Sequence, residues 1–102
     1  VSCSKGGSYS QKVLLQTPWG SAPGQFGLLE EAEGVAPEAL TVDASGNIWV
    51  IDLVNSRVQG FRKDGRFIRA LPIRSRAMDI TTGPNGWLYL LAPYDGQISI
   101  ID

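Results

Sequence analysis

The chain has 102 residues, a formal net charge of -1, 43% hydrophobic residues and 19% charged residues, an ordinary balance for one small folded domain. That balance exerts no global pull on nucleic acid or an acidic membrane, and no apolar run approaches the ~20 residues of a membrane helix. There is no histidine and a single cysteine, which excludes an intrachain disulfide and any histidine-dependent serine, cysteine or zinc chemistry within this chain.

Residues 1–11, VSCSKGGSYSQ, are small, polar and glycine-containing, and they read as a flexible lead-in. Cys3 follows Val1-Ser2 and precedes Ser4-Lys5-Gly6-Gly7. This resembles the processing region of a bacterial lipoprotein, with Cys3 as the first residue of the mature form; an ordinary free cysteine is the alternative. The first reading favours the cell envelope or an extracellular location.

Lys12–Thr17, KVLLQT, is a short apolar run stopped by Pro18, the signature of a strand. From Trp19 to Pro37 glycine and proline recur, so this is a long loop, with a helical turn expected over Leu28–Glu33. Ala39–Asp43 is the next strand. Ala44-Ser45-Gly46-Asn47 is a turn in which Gly46 supplies a positive φ. Asn47–Asp52 follows as a strand whose consecutive Ile48, Trp49, Val50 and Ile51 call for cover on both faces. Leu53-Val54-Asn55 turns the chain into the strand Ser56–Arg62. Lys63-Asp64-Gly65 is an Asp-Gly hairpin signal, and Arg66–Leu71 is a strand closed by Pro72.

The order then recurs: strand 78–82, a turn containing Gly86, strand 87–92, a turn at 93–96, and strand 97–101. A shift of about 40 residues aligns the two copies without a gap. Leu40 falls on Ile80, Gly46 on Gly86, Trp49 on Tyr89, and Val58 on Ile98. The chain is thus an internal repeat, 39–71 and 78–102, with the period of a four-stranded propeller blade.

The motifs then support a family resemblance. Asp43-x-x-Gly46-Asn47, Trp49-Val50-x-Asp52, Asn55-x-Arg57-Val58-Gln59 and Phe61-x-x-x-Gly65 together resemble an NHL-repeat β-propeller. The loop Trp19-Gly20…Pro23-Gly24-Gln25-Phe26 resembles the glycine-rich connection before such a repeat. The likeness covers residues 12–102. It is weaker in the second copy, where Ala92, Asp95 and Gln97 stand in the places of Asp52, Asn55 and Arg57.

The expected fold is all-β, with two four-stranded blades per chain. The second copy supplies three strands, and Lys12–Thr17 is the candidate for the missing outer one, as the N-terminal strand closes the ring in propellers of this kind. Two blades cannot close a ring, and each blade covers its faces only against neighbours. A lone chain is therefore expected to leave parts of Ile48, Trp49, Val50, Leu88, Tyr89 and Leu90 wet. The ring is completed either by sequence beyond this chain or by other copies, three of them giving a closed ring of about six blades.

Candidate site residues fall into three sets. Asp43, Gly46, Asp52, Asn55, Arg57 and Gly86 read as turn residues that pin strand ends; an acid/base or calcium pair of Asp52 with Asp95 is the chemical alternative. Seven of the nine basic residues lie between Arg57 and Arg76, against four of ten acidic ones between Glu30 and Glu38. Arg62, Arg66 and Arg69, with Lys63, Arg74 and Arg76, form either a solvated rim or a phosphate-binding surface, since some NHL propellers bind RNA. Trp19, Phe26 and Tyr94 sit in loops and either pack between blades, the favoured reading, or stack on a ligand, whereas Trp49 and Tyr89 sit mid-strand and belong to the core.

The function these readings support is non-enzymatic: a binding or scaffold module that presents loops on one ring face to a protein, peptide or glycan, with no cofactor. The alternatives are a piece of a propeller enzyme, lyase- or lactonase-like, with its catalytic and metal-binding residues elsewhere, and RNA binding through Arg57–Arg76.

Overall fold

A computed structural model describes residues 9–29 and 35–102. Cys3, most of the 1–11 lead-in, and the bulk of the helical turn expected over Leu28–Glu33 lie outside the described residues. At the border of that turn, Leu29 and Val35 pair in an antiparallel bridge.

Among the described residues, seven strands form two antiparallel sheets. β1 (Leu40–Val42), β2 (Ile48–Asp52), β3 (Arg57–Phe61) and β4 (Phe67–Pro72) make the first, and β5 (Asp79–Thr82), β6 (Leu88–Ala92) and β7 (Gln97–Ile101) the second. In both, strand order in space follows order in the chain, a meander in which each strand returns beside the last. The turns use the expected residues: Gly46, Gly65 and Gly86 have φ of 85°, 92° and 82°, a region closed to most side chains. The turn at 93–96 is a short 3-10 helix, Pro93–Asp95, ended by Gly96 in the left-handed conformation.

The ladders reproduce the 40-residue repeat. Trp49 stands opposite Thr41, and Ile51 opposite Val58; Tyr89 stands opposite Thr81, and Leu91 opposite Ile98. Directly opposed residues share a sheet face, and neighbours in the chain do not. Each sheet therefore has a front face (Trp49, Ile51 and Val58; Tyr89, Leu91 and Ile98) and a back face (Leu40, Val50 and Phe61; Ile80, Leu90 and Ile101).

The core lies between the front of the first sheet and the back of the second. Ile51 and Val58 pack with Ile80, Leu88 and Leu90, and Ala77 closes the connection above them. The innermost strands β1 and β5 lie side by side, where Thr82 Oγ1 donates to the Val42 carbonyl at 3.3 Å. Two meanders stacked face to face, with their first strands together, are neighbouring blades.

Two expectations change. Val50, Leu88 and Leu90 are buried within the single chain, while Ile48, Trp49 and Tyr89 remain half-buried; the blade–blade contact covers Leu88 and Leu90 and part of Trp49, whereas Ile48 and Tyr89 lie on the two faces turned away from it and Val50 is buried on the back of the first sheet. Residues 12–17 form no strand and pair with neither sheet. Instead the Leu14 carbonyl oxygen lies beside the Gly65 turn, only 2.5 Å from where a Cβ at Gly65 would sit. The apolar run meets the first sheet, whereas its expected partner, β7, belongs to the second and has no outer neighbour among the described residues.

Candidate functional site

The densest polar arrangement joins β2 and β3 to the glycine-rich loop. Asp52 ends β2 and Arg57 begins β3, directly opposite in the ladder. Between them Ser56 takes φ 52°, a left-handed residue that lets the turn close tightly. Asp52 is fully buried. Its Oδ1 accepts the Gly27 N–H at 2.8 Å, and its Oδ2 accepts Asn55 Nδ2 at 2.9 Å and Arg57 Nε at 2.8 Å. A carboxylate out of water needs this saturation, since an unpaired one would be strongly disfavoured.

Arg57 uses its remaining nitrogens on the loop. Nη1 donates to the Ser21 carbonyl at 3.0 Å, and Nη2 donates to the Ala22 and Gln25 carbonyls at 3.0 and 2.7 Å. Only the planar, five-donor guanidinium can serve a carboxylate and three carbonyls at once. Gln59, two residues along the same face of β3 and fully buried, completes the set: Nε2 donates to the Gln25 carbonyl at 2.6 Å and Oε1 accepts the Gly24 N–H at 2.9 Å. Asn55 Nδ2 also reaches the Gly20 carbonyl at 3.0 Å. Together these residues form a latch that fixes residues 20–27 across the back of the first sheet. The loop's apolar contribution is Phe26, whose ring meets Phe61 at 5.6 Å.

A second, smaller cluster holds the inner hairpin. Asp43 Oδ1 accepts the Ser45 and Asn47 N–H groups, each at 2.9 Å, and Oδ2 accepts Trp49 Nε1 at 3.0 Å. Desolvation by partial burial pushes the carboxyl pKa upward. The indole and backbone donors outweigh it and hold the group below its ordinary 3.8, since they bind the charged form.

Asp43, Asp52, Asn55 and Arg57 all bond within the fold. Asp52 and Asp95 serve different sheets: Asp95 Oδ2 accepts the Arg76 N–H at 3.3 Å. Among the described residues no group of three or more Asp, Glu, His or Cys converges. Gly86 has open space around it; its backbone conformation is its role.

The basic stretch, continuous in sequence, is divided in space. Arg57 is consumed by the latch. Arg62, Lys63 and Arg66 sit at the β3–β4 turn, while Arg74 and Arg76 follow the far end of β4. Six strand residues separate the two groups, roughly 20 Å at the usual rise. Arg66 pairs with Asp64 at 3.6 Å in the open, and Arg69 stands between the groups on β4. Of the loop aromatics, Phe26 is packed rather than offered to a ligand. Trp19 and Tyr94 are 56% and 79% exposed; Trp19 bridges Phe26 in the loop and Tyr94 lies in the turn between β6 and β7.

Gln59, Gly24 and Gly27 were not singled out as site residues. A polar residue two positions from Arg57 along a strand shares its face, so Gln59 carried a signal. Gly27 carried none: its lack of a side chain matters only because Val54 and Asn55 fill that space.

Among the described residues, the second sheet has no latch. Ala92, Gln97 and Ser99 occupy the matching positions, and the short connection 73–77 crosses there instead. A groove of about 260 Å³ remains between Ile73, Arg74, Gln97 and Ser99.

No family model matches the sequence. No curated protein matches it either. Among solved structures, the selenomethionine-substituted virginiamycin B lyase from Staphylococcus aureus is similar, with a TM-score of 0.57 and 19% identity over 65% of this chain and 23% of that chain. The chain thus spans about a quarter of that protein's length. At this identity the likeness shows the fold: the two sheets have the architecture of β-propeller blades.

Proposed function

We propose that this chain is a non-enzymatic binding or scaffold module of an NHL-type β-propeller, engaging a protein, peptide or glycan through loops on one rim. The observation that carries this reading is the division of labour at that rim. Asp52, Asn55, Arg57 and Gln59 spend their polar atoms on the loop backbone, and Trp19, at the edge of the pinned loop, stays exposed with Tyr94. Rigid, uncovered aromatics bind planar or apolar ligand faces at little entropic cost. The NHL assignment is supported by the motif residues themselves, which form two bonded clusters, one around Asp52 and one around Asp43.

The test is a glycan array and a peptide library probed with the intact chain and with Trp19→Ala and Tyr94→Ala. Retention of a ligand that falls about tenfold in either variant is expected, the loss of one anchor contact. Binding untouched by both variants overturns the rim as the site. Turnover of a retained ligand transfers the protein to the enzyme class.

A further inference from the structure

The first sheet holds, within the chain, an example of what its back face binds. Arg57, Gln59 and Phe61 face the loop 20–27 there. Arg57 bonds the Ser21, Ala22 and Gln25 carbonyls, and Gln59 bonds the Gln25 carbonyl and the Gly24 N–H. Phe61 takes the Phe26 ring at 5.6 Å. The loop's own polar side chains take no part in these bonds. This face therefore reads a peptide segment by its backbone and one apolar residue.

The second sheet repeats the face without the occupant. Gln97, Ser99 and Ile101 stand where Arg57, Gln59 and Phe61 stand, and Ala92 lies opposite Gln97 as Asp52 lies opposite Arg57. Loop length causes the vacancy. Residues 18–39 precede β1, whereas residues 73–78 alone join β4 to β5. So short a connection crosses the face once and cannot fold back over Ser99 and Ile101. What remains is the groove of about 260 Å³, walled by Pro72, Ile73 and Arg74 on one side and by Leu90, Gln97 and Ser99 on the other.

Both walls are internal to the chain. A strand added beside β7 would lie in the plane of the sheet, next to the groove rather than in it. The connection is also tied down. Ile73 N–H donates to the Ser56 carbonyl at 3.0 Å, and Met78 N–H donates to the Leu91 carbonyl at 2.8 Å. A ligand meets a wall that is already ordered, which lowers the entropic cost of binding.

The charge differs from that of the first sheet. There Asp52 neutralises Arg57. Here Ala92 and Gln97 replace that pair, and among the described residues Arg74 is the one charged group lining the groove. The Gln97 amide and the Ser99 hydroxyl each donate and accept, which suits peptide N–H and C=O groups. A guanidinium without a neutralising neighbour favours a carboxylate.

From these relationships we infer that the groove binds a short peptide segment of a partner protein, with its backbone on Gln97 and Ser99, an apolar side chain against Ile73 and Ile101, and an acidic side chain on Arg74. This rests on the binding-module reading and adds a second site, with a ligand class, away from Trp19.

The probe is a set of short acetylated, amidated peptides in a glycine–serine background, each with one phenylalanine and one aspartate at varied spacing. They are titrated into the unmodified chain while its backbone amide resonances are followed. Shifts confined to residues 73–75 and 97–101 are expected, with affinity about tenfold lower when asparagine replaces the aspartate. Arg74 is exposed, and its replacement is tolerated as surface changes are. Arg74→Gln should erase the preference for aspartate and leave the affinity of the asparagine peptide unchanged. Ser99→Leu, which fills the groove, should abolish both.

No shifts in these residues at about 1 mM peptide, the limit of weak binding, overturn the inference, as do equal affinities for the aspartate and asparagine peptides. Shifts produced there by a neutral oligosaccharide and by no peptide overturn the peptide class. Array ligands held through Trp19 or Tyr94 without any groove shift remove the groove and leave the module reading standing. Groove binding without a ligand at those aromatics does the reverse for the rim.

Discussion

Arg57 Nε lies 2.8 Å from Asp52 Oδ2, with the carboxylate side chain fully buried and the arginine side chain 13% exposed. The same guanidinium holds three loop carbonyls more than thirty residues earlier in the chain. An ion pair at the mouth of a β-turn thereby becomes the anchor of a remote loop.

Asp52→Ala removes the acceptor of four hydrogen bonds, from Gly27, Asn55, Arg57 and Gln59, and leaves a cation facing a vacated site. Breaking a buried pair from one side costs on the order of 3–5 kcal/mol, a large share of a small domain's stability. Urea unfolding should show the unfolding free energy fall by that amount, the midpoint dropping in proportion at constant slope. A change below about 0.5 kcal/mol, the scale of ordinary surface substitutions, would mean the pair is not structural.

Arg57→Lys keeps the charge and loses the fork. One ammonium cannot serve Asp52 and the carbonyls of Ser21, Ala22 and Gln25 together. Amide exchange should accelerate in residues 20–27 while β2 and β3 remain protected. Equal acceleration throughout the sheet would show that the loop and the strands open as one unit.

Trp49 and Gly60 stand opposite in the β2–β3 ladder. A Cβ at Gly60 would collide with the indole ring. Gly60→Val should expel that ring and break its bond to Asp43, costing about 1–3 kcal/mol as overpacking does. The tryptophan emission maximum should move to longer wavelength in the folded variant. Emission and stability both unchanged would show that the ring has room elsewhere.

Asp43 makes stability depend on pH. Its folded pKa is depressed below 3.8, so the folded state binds its proton less readily than the unfolded chain. The contribution is fully present above about pH 4 and fades as pH falls through 3.8 toward the folded value. Asp43→Asn removes it. The difference in Tm between the native chain and this variant should be constant from neutral pH to about pH 5, and should shrink below pH 4. A difference that grows on acidification would contradict the direction of the shift.

Much of the fold was legible in the chain itself. The strands at 47–52 and 87–92 announced themselves by apolar runs, and each observed bound agrees to within a residue. Gly46, Gly65 and Gly86 marked the turns because few other residues adopt those φ values cheaply. The gapless alignment of Trp49 with Tyr89 foretold equivalent ladder positions. Such signals are local: they depend on residues within one strand or turn.

The site was legible only in part. Asp52, Asn55 and Arg57 could be picked out together because they flank one turn, but what they hold lies at residues 20–27, and no local pattern reveals a partner that distant. Phe26 looked like a surface aromatic until the latch brought its loop down onto Phe61. The arginines from 62 to 76 looked like one patch until β4 carried them to opposite ends of a sheet.

Local periodicity and turn chemistry thus determined by themselves that this chain forms two repeated antiparallel meanders, since pleat and φ preference act between near neighbours. Only the tertiary structure decided which face of each sheet is covered, which loop Arg57 grips, and that residues 12–17 stay unpaired within the chain. Those outcomes depend on burial and on hydrogen-bond partners remote in sequence, which the folded backbone alone brings together.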